Sequence, residues 1–166
     1  GKHGYLVDDE SVRLPGTYLP RDCDDGRLLM VVGVEDQPPA VGCMWPGADL
    51  GGALALASLI DGREFRGQVR RISVANYDGR QNRSRPHIEL ITDRAEARIW
   101  WGRAPREEFG AEISASQKIA LLETLYRQCG RIDMNRSYVN IMTWPDRVAM
   151  PAAMSEAPVH ARLLRG

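Results

Sequence analysis

The apolar and polar positions of the chain first predict a sheet. Residues 27–34 (RLLMVVGV) form a continuous apolar run rich in β-branched side chains, which is typical of a central strand. Residues 68–77, 87–92 and 97–102 alternate between apolar and polar side chains as strands do, so we expect them to form an antiparallel meander. The connection at 78–86 is long, basic and polar, and we expect it to be mobile.

Within this meander, the side-chain pattern also predicts local detail. The alternation of the first strand shifts near Arg70 and Arg71, which indicates a β-bulge. In the strand at 97–102, Ile99 and Trp101 should point to one face. Arg98 and Trp100 should then point to the opposite face.

A first helix is predicted over residues 49–60. Leu50, Leu54, Ala57 and Ile60 recur at helical spacing, with Asp49 as the N-cap and Gly62 as the stop. Two glycines in the first turn, at 51 and 52, cost helix stability, so a close approach to a neighbouring strand is the expected reason for them.

A second helix begins at Ser114. Ser114 and Gln117 have the spacing of a capping box, and Gly130 is a typical C-terminal stop. Its predicted apolar stripe consists of Ile119, Leu122, Leu125, Tyr126 and Cys129.

The segment RIDMNRSYVNIMTW, residues 131–144, reads as a hairpin of two strands joined at Asn135-Arg136-Ser137. Val139 and Ile141 occupy one face of its last strand. Tyr138, Met142 and Trp144 occupy the other, so both faces need a cover. The second cover is either the helix that begins at Ser114 or the surface of another molecule.

Together these elements predict one α+β domain over residues 1–144, with a mostly antiparallel sheet and two main helices packed on it. Residues 145–166 contain scattered apolar positions without a period. We expect them to form a C-terminal arm that is partly disordered.

Charge and composition narrow the function classes. The 166 residues contain 22 Lys+Arg and 22 Asp+Glu, so no overall field draws the protein to nucleic acid or to an anionic membrane. No apolar run is long enough to span a membrane, and the start at Gly1-Lys2-His3 suggests an excised fragment. The three cysteines fit buried thiols, although a bridge between Cys23 and Cys43 is open.

No constellation of side chains predicts catalysis, a metal site or a cofactor. The acidic group Asp22, Asp24 and Asp25 lacks the ligand order of a calcium loop, and the three histidines at 3, 87 and 160 are scattered. Cys129 lies near the end of a helix, where its thiol is not activated. The arginines around Trp100 and Trp101 are interrupted by Glu96, Glu107 and Glu108, so single-stranded nucleic acid is a weak alternative.

The order of the elements, with the segments RIWWGRA and RIDMNRSYVNIMTWP, resembles the β-domain of the FtsQ/DivIB family of bacterial cell-division proteins. The resemblance covers about residues 5–145. It implies a non-catalytic scaffold at the division septum that binds FtsB/FtsL-like proteins with the edge of its sheet. It also implies an extracytoplasmic, periplasmic domain of a protein with one upstream membrane span and a POTRA domain.

A free edge also follows from the residues themselves. If residues 138–144 form the final strand, its outer side presents unpaired main-chain groups to which a partner strand can add. The expected partner-binding residues are Tyr138, Asn140, Met142 and Trp144. One alternative is an extracytoplasmic carbohydrate-binding or hydrolytic domain that uses Trp100, Trp101 and Arg103, and another is a purely structural domain.

Overall fold

The computed structural model describes residues 3–23, 25–94 and 96–143. In this part of the chain, five strands and two α-helices follow one another as β1 (Met30–Val32), α1 (Ala48–Ile60), β2 (Val69–Ser73), β3 (Ile88–Thr92), β4 (Arg98–Gly102), α2 (Ala115–Cys129) and β5 (Tyr138–Asn140). The α+β class and the two main helices are therefore confirmed.

The strands form one mixed sheet in the order β1-β2-β3-β4-β5. The meander of β2, β3 and β4 is antiparallel, as expected, but β1 pairs with β2 in parallel and β5 pairs with β4 in parallel. The expectation of a mostly antiparallel sheet is wrong because each helix lies between two strands and serves as the crossover that parallel neighbours require. The apolar run predicted as a central strand forms β1 at an edge of the sheet, because the other side of its neighbour β2 is occupied by β3.

Residues 131–134 form a turn and not the predicted partner strand of β5. Met134 and Asn135 have positive φ values of 52° and 58°, which a strand cannot accommodate. The Asp133 carboxylate holds this turn by accepting hydrogen bonds from the Arg131 guanidinium at 2.6 Å and from the Asn135 amide at 2.9 Å. The chain therefore reaches β5 from the end of α2 through a compact turn, and β5 pairs with β4 instead.

Both helices pack on the same face of the sheet. In each strand one residue of a continuous row points to this face: Val31, Ile72, Leu90, Ile99 and Val139. The buried residues of α1 and α2 belong to the same apolar cluster as this row, among them Ala53, Leu56, Ile60, Ile119, Leu122 and Leu125. The core thus lies between the sheet and one layer of helices.

The first helix is shifted relative to its prediction. It begins at Ala48 after Gly47, so Asp49 lies in the first turn and is not the N-cap. Its buried face includes Ala53 and Leu56, whereas Leu54 and Ala57 are only half-buried. A Cβ atom at Gly52 would lie 2.9 Å from the Cβ atom of Ala104, so the expected close approach occurs there. The neighbour is not a strand, as expected, but Ala104, two residues after the end of β4, and a Cβ at Gly51 would meet nothing within 4 Å.

The second helix agrees with its prediction at both ends. Ser114 and Gln117 form the reciprocal capping box, and Gly130 ends the helix with a φ of 71°. Ile119, Leu122 and Leu125 are buried. None of the three cysteines forms a disulfide, so Cys23 and Cys43 are not bridged. The expectation of buried thiols is wrong, because Cys43 is exposed and Cys23 and Cys129 are only half-buried.

Candidate protein-binding surface

Strand β5 is an edge strand, and its pairing with β4 determines which main-chain groups remain free. The Arg98 amide donates to the Ser137 carbonyl at 2.9 Å, and the Ile141 amide donates to the Trp100 carbonyl at 3.3 Å. In a parallel pair with this register, the N–H and C=O groups of Tyr138 and Asn140 point away from β4. No residue in the described part of the chain forms a hydrogen bond with these outward groups.

The free edge is short because the chain closes it at its C-terminal side. The Met142 amide donates to the Asn140 side-chain oxygen at 3.0 Å, and the Met142 carbonyl accepts the Ile113 amide at 2.9 Å. Extended pairing therefore stops after Asn140. Within the described residues, a partner strand can form hydrogen bonds with the outward groups of Tyr138 and Asn140.

The predicted binding residues occupy different environments. Tyr138 is 38 % exposed and stacks on Trp100, with ring centroids 4.7 Å apart. Asn140 is half-buried beside it, and Met142 is half-buried close to Gly102. Trp144 lies outside the described residues. Tyr138 and Asn140 thus share the face opposite Val139, as the alternation of a strand requires.

Helix α2 does not cover the Tyr138 face, because its buried residues pack with Val139 and Ile141 on the other side. Of the two possible covers for this face, the internal helix is therefore excluded. No α-helix of the described part of the chain lies on this face of the sheet, which we call the open face.

The open face carries arginine, aromatic and acidic side chains. The carboxylate of Glu89 accepts a hydrogen bond from Arg98 at 2.5 Å and another from Arg85 at 3.0 Å. The Arg85 guanidinium also lies 5.0 Å from the centre of the Trp100 ring. Trp100 therefore contacts both a cation and the ring of Tyr138, and these contacts hold its ring in place.

Arg85 is held over the sheet by the loop that precedes β3. The Asn76 side chain donates to the carbonyls of Asn82, Arg85 and Pro86 at 2.9 to 3.1 Å, and its oxygen accepts the amides of Gln81 and Asn82. The loop expected to be mobile thus has a polar centre of its own. The sequence does not predict Arg85 or Glu89 as site residues, because one lies in a polar loop and the other in a different strand. A single asparagine before a basic loop is nevertheless a recognisable turn signal.

Two clefts indent the sheet on this side. One, of about 450 Å³, is lined by Ser73, Asn76, Arg85, His87, Glu89 and Arg98 among others. The other, of about 330 Å³, lies toward β1 and is lined by Cys23, Met30, Arg70, Arg71, Thr92, Asp93 and Glu96. Both are polar and rich in arginine.

A second exposed aromatic residue lies near the end of β5. Phe109 is 78 % exposed, and the Arg103 guanidinium lies 5.8 Å from the centre of its ring. It belongs to the loop whose Ile113 amide binds the Met142 carbonyl. No periodic pattern predicts Phe109, because it is an isolated aromatic residue in an acidic loop.

The residues of the alternative carbohydrate site do not form one surface. Trp101 is fully buried in the core, where the Lys118 ammonium lies 4.9 Å from its ring centre. Trp100 lies on the opposite face of the same strand, and the Arg103 side chain lies over Phe109. The pattern of two neighbouring tryptophans therefore reflects one core residue and one surface residue.

The buried charges near β4 and β5 hold the framework of the surface. Lys118 is fully buried and donates to Glu112 at 2.5 Å, and Glu112 also accepts the Arg103 amide at 2.7 Å. Burial lowers the pKa of Lys118, although the Glu112 carboxylate opposes that shift.

Burial by itself raises the pKa of Asp133, but hydrogen bonds from Arg131, Asn135 and Thr92 outweigh it and the net shift is downward.

No group of His, Cys, Asp or Glu within the described residues could hold a metal ion. Among those same residues, no helix is both long enough and apolar enough to cross a membrane. The site that remains is a main-chain edge beside an arginine-rich and aromatic sheet face.

The fold and this site define a class: a two-layer α+β domain whose mixed sheet has an open edge strand and an open face. Comparison with protein-family models, with the curated proteins and with the solved structures gives no significant match.

Proposed function

We propose that the domain is a non-catalytic scaffold that binds a partner protein by adding a strand to the free edge of β5. The observation that carries this proposal is the outward direction of the main-chain groups of Tyr138 and Asn140 on the edge strand. Strand addition uses such groups for affinity and the neighbouring side chains for specificity.

The size of the free edge determines how much the side chains must contribute. Four main-chain groups form at most four hydrogen bonds, each worth about 1 kcal/mol net, which corresponds to weak binding. Tyr138 and Trp100 are rigid aromatic residues next to the edge, and such residues dominate the energy of interfaces. Met142 and Trp144 remain further predicted anchors.

The other edge of the sheet fits this function less well. Strand β1 is also an edge strand, but it carries Met30 and Val32 on the open face and no aromatic residue. Leu28, just before it, is 39 % exposed. The aromatic pair at β5 therefore favours β5 as the place of strand addition.

The resemblance to the FtsQ/DivIB family supplies the partner class. In this proposal the partners are FtsB/FtsL-like division proteins, and the domain works on the extracytoplasmic, periplasmic side of the membrane as part of a membrane-anchored protein. The codons upstream of this segment test the compartment. An apolar span followed by a POTRA-like segment is the expected result, and a cytosolic enzyme domain in that place would contradict it.

The variant Tyr138→Pro tests strand addition, because it removes an outward N–H without touching the bonds between β5 and β4. Its matched control, Tyr138→Ala, loses the same ring but keeps the N–H. We expect the proline variant to bind the FtsB/FtsL-like pair from the same genome more weakly than the alanine variant by about 1–2 kcal/mol. Isothermal titration calorimetry measures the two dissociation constants.

Circular dichroism and the unfolding midpoint of each variant verify that the fold is intact. Equal affinity of two folded variants would show that the outward N–H of Tyr138 does not contribute to binding. Absence of binding by the wild-type chain would rule out this partner class.

A further inference from the structure

The open face is an arginine-rich surface that no α-helix of the described residues covers, although residues of the loop before β3 and Cys23 line its two clefts. Two rows of register partners point away from the helices. They are Arg71, Ile91, Arg98 and Tyr138 in one row, and Ser73, Glu89, Trp100 and Asn140 in the other. Ile91 is nevertheless only 4 % exposed, although no helix of the described chain lies over it. Arg71 and Arg98 flank Ile91 in register, and the apolar stems of arginines cover such positions while their charged heads stay at the surface.

Positive charge exceeds negative charge on this face. Arg70, Arg71, Arg85 and Arg98 line its two clefts, together with the three carboxylates of Glu89, Asp93 and Glu96. Asp93 is already paired with Arg131, which lies outside both clefts, at 2.7 Å, and Glu96 is paired with Arg71 at 2.5 Å. Glu89 is shared by two arginines, so each of these guanidinium groups keeps N–H donors for another acceptor.

The C-terminal segment of the chain is a poor occupant for the open face. Residues 145–166 contain three arginines, at 147, 162 and 165, and only two acidic residues, at 146 and 156. Charge complementarity therefore favours a different, acidic molecule.

We propose that the open face binds an acidic peptide segment of the same partner that adds a strand to β5. This inference rests on the proposed function, because the acidic segment is taken to continue from the added strand. It specifies the partner as a short strand followed or preceded by a run with Asp or Glu side chains.

The geometry requires this second segment. An added strand lies about 10 Å from β4, two inter-strand spacings away, so its own side chains contact Tyr138 and not the guanidinium groups above β3 and β4. Carboxylates that reach Arg85 and Arg98 must therefore come from chain that leaves the strand and crosses the face. The stacked rings of Trp100 and Tyr138 lie on that path and offer an apolar contact between the edge and the arginines.

Random peptides displayed on phage test this inference without knowledge of the partner. A length of about 12 residues spans ~40 Å when extended, enough to pair with β5 and cross the sheet. Selection on the full chain should return sequences enriched in Asp and Glu. One selected peptide is then synthesised, and fluorescence anisotropy measures its dissociation constant with each variant.

The double variant Arg85→Gln/Arg98→Gln removes two arginines that both pair with Glu89. Arg63→Gln/Arg127→Gln is the matched control, because these two arginines also pair with carboxylates, Glu123 and Glu64, but on the helical side. We expect the dissociation constant to rise at least tenfold in the open-face variant and less than twofold in the control. If the open-face variant does not fold, Arg85→Gln/Glu89→Gln/Arg98→Gln leaves no unpaired carboxylate and should show the same loss.

Several outcomes would overturn the inference. They are recovery of no specific peptide, recovery of peptides without acidic enrichment, and equal effects of the open-face and control variants. Tighter binding of a single-stranded oligothymidine than of the selected peptide, lost in the open-face variant, would assign the face to nucleic acid instead.

Tyr138→Pro separates this inference from the proposed function. If that variant weakens the peptide and the arginine variants do not, edge pairing stands and the acidic-segment inference fails. If the arginine variants weaken the peptide and Tyr138→Pro does not, the acidic docking face is supported and edge pairing is contradicted.

Discussion

A single buried ammonium group holds together the elements that support the partner edge. Lys118 is fully buried near the start of α2, and its only carboxylate neighbour at hydrogen-bond distance in the described chain is Glu112. Glu112 in turn accepts the Arg103 amide directly after β4. The pair thus connects α2, the loop before it and the end of β4, close to the bond between Ile113 and Met142.

Lys118→Met should destabilise the domain strongly, because it leaves the Glu112 carboxylate buried without its counter-charge. We expect a loss of about 3 kcal/mol in the free energy of unfolding, and Lys118→Met/Glu112→Gln should regain at least half of it. Urea unfolding of both variants measures these values. A double variant that is less stable than the single variant would contradict this account of the pair.

The same lysine gives a pH dependence with a definite sign. Between the lowered pKa of folded Lys118 and its ordinary value of 10.5, the unfolded chain binds more protons than the folded chain. The stability contributed by this group therefore rises with pH across that window and falls as the pH drops through the folded pKa. Lys118→Met should remove this rise, and urea unfolding at several alkaline pH values compares the two chains.

At the scale of elements, the loop between β2 and β3 is built around one side chain. Asn76 makes five hydrogen bonds to the main chain of residues 81–86, and so determines where Arg85 lies relative to Trp100. A polar loop of this length can be ordered by a central asparagine in place of regular secondary structure.

Asn76→Ala should loosen this loop without unfolding the sheet. Because the freed carbonyls and amides are near the surface and bond to water, we expect the free energy of unfolding to fall by only about 2 kcal/mol. The Gln81 and Asn82 amides should exchange with solvent much faster, and Trp100 fluorescence should change as Arg85 leaves its ring. The control Asn82→Ala removes only the bond to the Ser84 amide and should alter these amides little. Unchanged exchange in Asn76→Ala would show that the loop has another source of order.

The elements also show how far the sequence predicts this fold. The capping box of α2, the bulge after Val69 and the opposite faces of Trp100 and Trp101 follow from local rules, and all three are confirmed. Strand order was not predictable in the same way. An apolar run such as that of β1 fits a central strand and an edge strand equally well, and neighbours are determined by crossovers far apart in sequence.

The candidate site was also predictable only in part, because local rules predict some of its residues and strand order determines the others. Tyr138 and Asn140 follow from the alternation of β5, whose position at the edge was expected. Their neighbours on the open face, Arg85 and Glu89, come from a loop and another strand. The pairing register of β3, β4 and β5 brings them together, and the spacing of residues along the sequence does not predict that register.

At the scale of the whole molecule, the sequence alone predicts that the C-terminal segment lies outside the core. Ile141 is the last buried apolar residue in the part of the chain that the structure describes. The division into a domain over residues 1–144 and an arm over 145–166 remains a prediction, and it has a direct consequence for stability.

Deletion of residues 145–166 should therefore change the free energy of unfolding by less than about 1 kcal/mol, since surface segments without core contacts contribute little. Thermal and urea unfolding of the full and shortened chains measures the difference. A loss of several kcal/mol would mean that the deleted residues form part of the folded core. Replacement of the same residues by a Gly/Ser sequence of equal length controls for the position of the chain end.

The parallel pairing of β4 and β5 affects the order in which the molecule is assembled. Arg98 and Tyr138 are register partners but lie 40 positions apart along the chain. Closing so long a loop is slow compared with forming the adjacent meander, because its entropy is lost before the new contacts form. The β5 edge is thus completed after the meander, and a partner that binds this edge recognises only molecules in which β5 has already joined the sheet.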